Sequence, residues 1–201
     1  MSKPRHRAPA HAGFRAFFWL VIFVGLAAAA IWVWQRNARP RPGPLYRETG
    51  WLPAQPSDRW KCIVIHHSAG EAGGAKRFDA FHRARGWEGL GYHFVIGNGS
   101  DTPDGQVEVG YRWQRQEHGA HCKTDDNYYN EHGIGICLVG NLNNHPPTAR
   151  QMISLTRLVR FLCAEFQIPQ SRILTHGGVT HKTECPGKEF DMGQLKKMIN
   201  G

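Results

Sequence analysis

The chain has 201 residues, 41% of them hydrophobic and 20% charged, which excludes a wholly disordered polymer and fits one domain with an appendage. The formal net charge is +9, but eight of the 25 basic residues and no acidic residue lie in 1–47, leaving 17 basic against 16 acidic side chains in 48–201. The main body is therefore near neutral and shows no RNP-type, helix-turn-helix or zinc-finger spacing, so no nucleic-acid partner is expected.

Residues 1–15 form a basic tail carrying Lys3, Arg5, Arg7 and Arg15. Residues 16–34, AFFWLVIFVGLAAAAIWVW, carry no charge over 19 positions. At about 1.5 Å of rise per residue such a run can cross a hydrocarbon core of about 30 Å. Trp19 stands near one end, Trp32 and Trp34 near the other, where indole rings favour the lipid boundary. The preceding cations predict a cytoplasmic N-terminus and an exported C-terminal domain, a bias weakened by Arg36, Arg39 and Arg41 beyond the run. The expectation is a single-pass transmembrane anchor; the alternative is a signal peptide cleaved within 27–30, which would release a secreted domain. Residues 35–56 contain Pro40, Pro42, Pro44, Pro53 and Pro56 and read as a stiff linker.

The domain, 57–201, begins with a β-branched run, KCIVIHH (61–67), that predicts a buried strand. A glycine-rich loop (70–74) leads to a helix over 75–85, with Phe78 and Phe81 on one side. Residues 91–97 predict a second strand, and GNGSDTPDG is turn chemistry before a returning hairpin strand over 106–113. Residues 114–132 show no periodicity. GIGICLVGN (133–141) predicts a fourth strand. Met152, Leu155, Val159, Leu162 and Phe166 mark one face of a helix starting near Thr148. RILTHG (172–177) predicts a fifth strand, and 191–199 a closing helix with Leu195 and Met198 inward. Alternating strands and helices predict an α/β fold, one mixed β-sheet flanked by helices.

Ten of the twelve histidines lie in this domain, and the five cysteines are an odd number. In an oxidising compartment a lone thiol is a liability unless it has a job, and a metal provides one. His66 stands at the end of the first strand, His176 at the end of the last, and Cys185 in the loop before Pro186 and Gly187. Three such donors with one open position form the ligand set of a catalytic zinc. Any single strand-end histidine is more often structural than a ligand, and spacing alone does not select this set. HExxH, the deaminase H-x-E with P-C-x-x-C, G-x-S-x-G, the P-loop and the Rossmann glycine pattern are absent. The residues by themselves lead to an exported α/β domain with a candidate His/His/Cys zinc site and hydrolytic chemistry.

Four segments carry a resemblance: IVIHHSAG (63–70), GYHFVIGNG (91–99), GAHC…YNEHGIGICLVGN (119–141) and ILTHGGVTHKTECPGKEF (173–190). In order, spacing and neighbours they resemble the type-2 N-acetylmuramoyl-L-alanine amidases, the family shared with peptidoglycan recognition proteins and phage lysozyme-type amidases. The likeness covers residues 59–199. It implies the peptidoglycan recognition protein fold, a Zn2+ cofactor, and hydrolysis of the amide between the lactyl group of N-acetylmuramic acid and L-alanine. The alternative is a membrane-tethered peptidoglycan receptor without turnover. Matched residue by residue, His66, His176 and Cys185 are the metal ligands and Tyr92 faces the reacting water. Recognition proteins that lack activity often carry Ser where Cys185 stands, so the thiol favours catalysis.

The interval from His176 to Cys185 is nine residues, one longer than the family pattern. The transition-state residue two positions before the cysteine is Thr183 counted back from Cys185, and Lys182 counted forward from His176. A cation is the better partner for a developing oxyanion, which favours Lys182. His181 lies close enough to intrude. His121 and Asn130 match the groove-lining stretch, and with His67 they make the candidate substrate-binding set; His67 reads equally as packing beside the metal. His118, His132 and His145 are expected on the surface, and His93 on the opposite side of its strand from Tyr92. Cys62 and Cys137 are expected as buried small hydrophobes, while Cys122 has no assigned partner. The expected partners are peptidoglycan and the bacterial inner membrane, with the domain on the periplasmic side and the protein a monomer.

Overall fold

The computed structural model describes residues 50–201 and, before them, Gly25, Ala27, Ala28, Ala29 and Trp32. The anchor expected at 16–34 therefore lies largely outside the described residues, as do the tail and most of the linker. Among the described residues no helix is long and apolar enough to cross a membrane. Residues 50–201 belong to one compact unit.

Five strands form one sheet in the order β3-β2-β4-β1-β5. They are β1 (Cys62–His67), β2 (Phe94–Ile96), β3 (Val107–Val109), β4 (Gly133–Leu138) and β5 (Ile173–Thr175). β1 pairs in parallel with β4, bringing His66 opposite Cys137, and with β5, bringing Ile63 opposite Ile173. β2 is parallel to β4, and only β3 runs antiparallel, against β2. All six residues of β1 and of β4 are buried. Central parallel strands are covered on both faces, which is why their sequences read as continuous apolar runs.

One face of the sheet carries Ile63, Ile65, Phe94, Ile96, Ile134, Ile136 and Leu138. They pack against the long helix Ala149–Phe166 through Leu155, Leu158, Val159 and Leu162, and against Met192–Asn200 through Leu195. Burying each such leucine stabilises the fold by about 2 kcal/mol. The long helix starts where the sequence predicts. Thr148 Oγ1 accepts from the Gln151 amide at 3.0 Å, and Gln151 Oε1 accepts from the Thr148 amide at 3.1 Å, a capping box. Gln151 Nε2 then donates to the carbonyls of Ile96 and Val139, tying the helix start to the ends of β2 and β4. The other face, with Cys62, Val64, Val95 and Cys137, packs beneath four shorter helices and their loops. Within residues 50–201 the α-helices are, in chain order, α1 (Ala75–Ala84), α2 (Tyr111–Arg115), α3 (Tyr128–His132), α4 (Ala149–Phe166), α5 (His176–Thr180) and α6 (Met192–Asn200).

Three expectations change. The hairpin strand stops at Val109, and Tyr111 opens α2 instead. The turn lets Trp113 enter the core, where its Nε1 donates to the Trp51 carbonyl at 2.7 Å and its ring meets Phe94 and Phe166. That burial outweighs the alternating pattern. The stretch 114–132 is not wholly irregular, since α3 occupies its end. The last strand ends at Thr175, and His176 begins α5, whose first turn is capped by Thr175 Oγ1 accepting from the Gly178 amide at 3.0 Å.

Candidate metal centre

The donor atoms of His66, His176 and Cys185 all lie within 4.8 Å of one another. Each arrives from a different element. His66 is the penultimate residue of β1 and is 1% exposed. His176 opens α5 directly after β5, the neighbour of β1, so strand pairing places the two rings 4.7 Å apart between centroids. Cys185 is delivered by its loop. Its carbonyl accepts from the Gly177 amide at 2.6 Å, and a Cβ on Gly177 would collide with the Thr183 carbonyl. Gly187, at φ +108°, lets the loop press against the Leu142 backbone with no room for a side chain.

The chemistry of the donors suits a soft dication. Burial, reinforced by the neighbouring imidazoles, holds His66 well below the ordinary imidazole range, and burial lowers His176 too, so both present lone pairs at neutral pH. Burial pushes the Cys185 thiol up to about 11, against the opposing pull of the His67 amide that donates to its sulfur at 3.4 Å. The two imidazoles and the sulfur match the ligand types and number of a catalytic zinc site. A dication would offset the cost of ionising this buried thiol.

Tyr92 lies beside the centre, its ring 5.3 Å from that of His66. Burial raises its hydroxyl well above the ordinary phenol value, so it remains a proton donor, and its ring packs against the buried cluster that holds Cys137. His93 turns away from Tyr92 toward Trp60 and Trp113, and its Nδ1 accepts from the Gly135 amide at 2.9 Å. Lys182 and Thr183 both line a cavity of about 730 Å³ that opens at His176. They share that wall because α5 ends at Thr180 and His181 takes a left-handed turn, φ +53°, accommodating the longer loop. Thr183 Oγ1 accepts from the Cys185 amide at 3.1 Å, whereas Lys182 makes no hydrogen bond or ion pair among the described residues.

His67 is 8% exposed, and its Nδ1 accepts from the Leu142 amide at 3.0 Å. Asn130 and His121 border the cavity but are themselves buried. Asn130 Oδ1 accepts from the amides of His121 and Cys122, both at 2.8 Å, which pins that loop. His121 uses both ring nitrogens within the protein, toward His66 and toward the Gly133 carbonyl. His118 is exposed, and His132 and His145 lie half-exposed at the surface. All five cysteines are free; Cys62, Cys122 and Cys137 are fully buried.

Two residues of this region carry no signal in the sequence. Cys137 belongs to the buried cluster against which Tyr92 packs, and β4 aligns it with His66. Arg112 borders the cavity with its side chain 3% exposed, donating to the carbonyls of Leu90 and His118 and standing 3.5 Å from the exposed Glu88 carboxylate. The alternating pattern around 106–113 suggests a strand and conceals Arg112.

The sequence profile of the family described as N-acetylmuramoyl-L-alanine amidase matches residues 56–188. An endolysin of Enterobacteria phage T3 is 32% identical over 148 residues, covering 69% of this chain and 86% of the phage protein. The structure of the N-acetylmuramoyl-L-alanine amidase LysC from Clostridium intestinale superposes with a TM-score of 0.61 at 31% identity, over 75% of this chain and 94% of that one. A Drosophila PGRP-LB mutant in complex with tracheal cytotoxin superposes with a TM-score of 0.52 at 25% identity, over 72% of this chain and 87% of that one.

Proposed function

The chain belongs to the N-acetylmuramoyl-L-alanine amidase family, and from that premise we propose that it is a zinc-dependent hydrolase cutting the amide between the lactyl group of N-acetylmuramic acid and the L-alanine of peptidoglycan stem peptides. The observation that carries this reading is the convergence of His66, His176 and Cys185 within 4.8 Å, with His176 also lining a cavity of about 730 Å³. The sulfur matters most, because it completes a three-donor set and leaves a position open to water and substrate.

His66, His176 and Cys185 would hold the metal, which would supply Lewis acidity toward water and toward the scissile carbonyl. Tyr92, kept protonated by burial, donates a hydrogen bond and positions the attacking water. Lys182, whose ammonium has no other partner among the described residues, stabilises the negative charge that grows on the carbonyl oxygen. Thr183, its hydroxyl committed to the Cys185 amide, serves mainly to hold the ligand loop. Water adds to the carbonyl carbon, the carbon–nitrogen bond breaks, and a proton from that water reaches the leaving nitrogen; the products are glycan strand and free stem peptide. Arg112, Lys123 and Lys182 outnumber Glu88 around the cavity, which suits a stem peptide bearing carboxylates. Asn130 and His121 border the cavity in which that peptide rests, and His67 packs beside the ligands.

Residues 16–34 read as the tether that keeps this domain at the outer face of the inner membrane, a reading supported by their uncharged length, the tryptophans near both ends and the cations that precede them. Purified peptidoglycan sacculi test the activity. Incubation with the zinc-loaded protein releases stem peptides beginning with free L-alanine, identified by mass spectrometry, and chelator stops the release. Fragments cut inside the peptide, or binding to sacculi without any release, would replace this reading with a peptidase or with a receptor.

A further inference from the structure

The buried histidines beside the metal centre are linked in one direction. His121 Nε2 lies 3.1 Å from the Gly133 carbonyl, which can only accept, so Nε2 carries the proton. Buried, with no carboxylate hydrogen-bonded to it among the described residues, the ring is neutral, and its Nδ1 is then a bare lone pair. That lone pair faces His66 Nε2 at 3.1 Å. His66 Nε2 must therefore donate, which leaves His66 Nδ1 unprotonated, and Nδ1 is the nitrogen that stands 3.7 Å from the Cys185 sulfur.

The surroundings hold the His121 ring in this role. Gly119 and Gly135 lie against it, and a Cβ on either would collide with the ring. The His121 amide is bound by Asn130 Oδ1, and Asn130 Nδ2 in turn donates to Asn127 Oδ1 at 2.8 Å. Two missing side chains and one buried amide thus fix where the acceptor nitrogen sits.

We propose that His121 is a positioning residue which, by accepting the Nε2 proton of His66, locks His66 in the tautomer and orientation that present Nδ1 to the metal beside His176 and Cys185. The inference rests on the zinc reading of the site and adds a residue that does not itself touch the metal. Partners of this kind typically alter metal affinity 10- to 100-fold, because a ligand ring free to rotate or change tautomer must be ordered on binding.

The test uses the full-length chain. In metal-free, nitrogen-15 histidine-labelled wild-type protein, long-range proton–nitrogen spectra are expected to show His66 and His121 both protonated at Nε2. In chelator competition, His121→Ala is expected to bind zinc about 10- to 100-fold more weakly than wild type. His121→Asn, whose Oδ1 can replace the lost acceptor, recovers most of that affinity, and Gly135→Ala, which displaces the ring, reproduces the loss. A proton on Nδ1 of His66 in the metal-free wild type overturns the proposal, as does a folded His121→Ala protein with wild-type zinc affinity. The tautomer measurement needs no variant, so a His121→Ala chain that fails to fold leaves it decisive. A wild type that binds no zinc would defeat the zinc reading of the site, whereas a wild type that binds zinc with the wrong tautomer would defeat only the role of His121.

Discussion

The amide of His67 and the sulfur of Cys185 meet at 3.4 Å across 118 residues of sequence. This contact joins the end of β1 to the ligand loop and aims an N–H dipole at the atom that must become a thiolate. It lowers the cost of ionising Cys185 but does not overcome burial, which leaves the metal-free thiol protonated. Its backbone neighbours thus place Cys185 as a candidate ligand whose ionisation a bound cation would favour.

Replacing Cys185 with alanine should reduce bound zinc from about one ion per chain to a trace, since two imidazoles alone make a weak site. Elemental analysis after gel filtration measures this, and stem-peptide release should fall with it. Stoichiometric zinc in the variant would remove Cys185 from the ligand set.

Lys182 and Thr183 should separate by readout. Lys182→Ala is expected to lower kcat about 100-fold with zinc content unchanged, as for loss of one oxyanion partner. Thr183→Ala removes the acceptor of the Cys185 amide and should weaken zinc retention first. The opposite pattern, with kcat lost only in Thr183→Ala, would transfer the oxyanion role to the threonine.

The metal-free protein should be acid-labile well above the carboxylate range. Burial lowers the pKa of His93 well below 6.5 and that of His121 from 6.5 to about 4. The unfolded chain takes up these protons more readily, so the stability is fully present above about pH 6.5 and declines as pH falls toward 4. For His121 alone the loss amounts to about 3 kcal/mol at the acid end of that window. Thermal melts from pH 7.5 to 4.5 should show a steadily falling Tm, and a flat profile would contradict the neutral, buried state of these rings.

Thr148→Ala should cost about 1 kcal/mol by removing half of the capping box at the start of α4. Denaturant unfolding of the metal-free domain reads it out, with zinc affinity unchanged because α4 lies on the opposite face of the sheet from the ligands.

Much of the architecture was legible from local pattern. The run at 62–67, the face formed by Met152, Leu155, Val159 and Leu162, and the Thr148 start each express a periodicity that burial enforces residue by residue. The alternation around Trp113 resembles a strand, but contacts with Trp51 and Phe166, distant in sequence, claim the indole for the core. The candidate metal ligands emerge from ordered segments rather than spacing, since His66 lies 110 residues before His176 and no local rule links it to the nine-residue interval from His176 to Cys185.

The sequence by itself determined the central strands and the long amphipathic helix and, through its four matching segments, pointed to His66, His176 and Cys185 as candidate donors, because both are written in residue types at short range. Only the tertiary structure decided that Cys137 and Tyr92 share a buried cluster, that Arg112 borders the cavity, and that His121 spends both ring nitrogens inside the protein. Those facts depend on sheet register and on the room left by Gly119 and Gly135, and a hydrogen bond between two imidazoles exists only once the fold has brought them to about 3 Å.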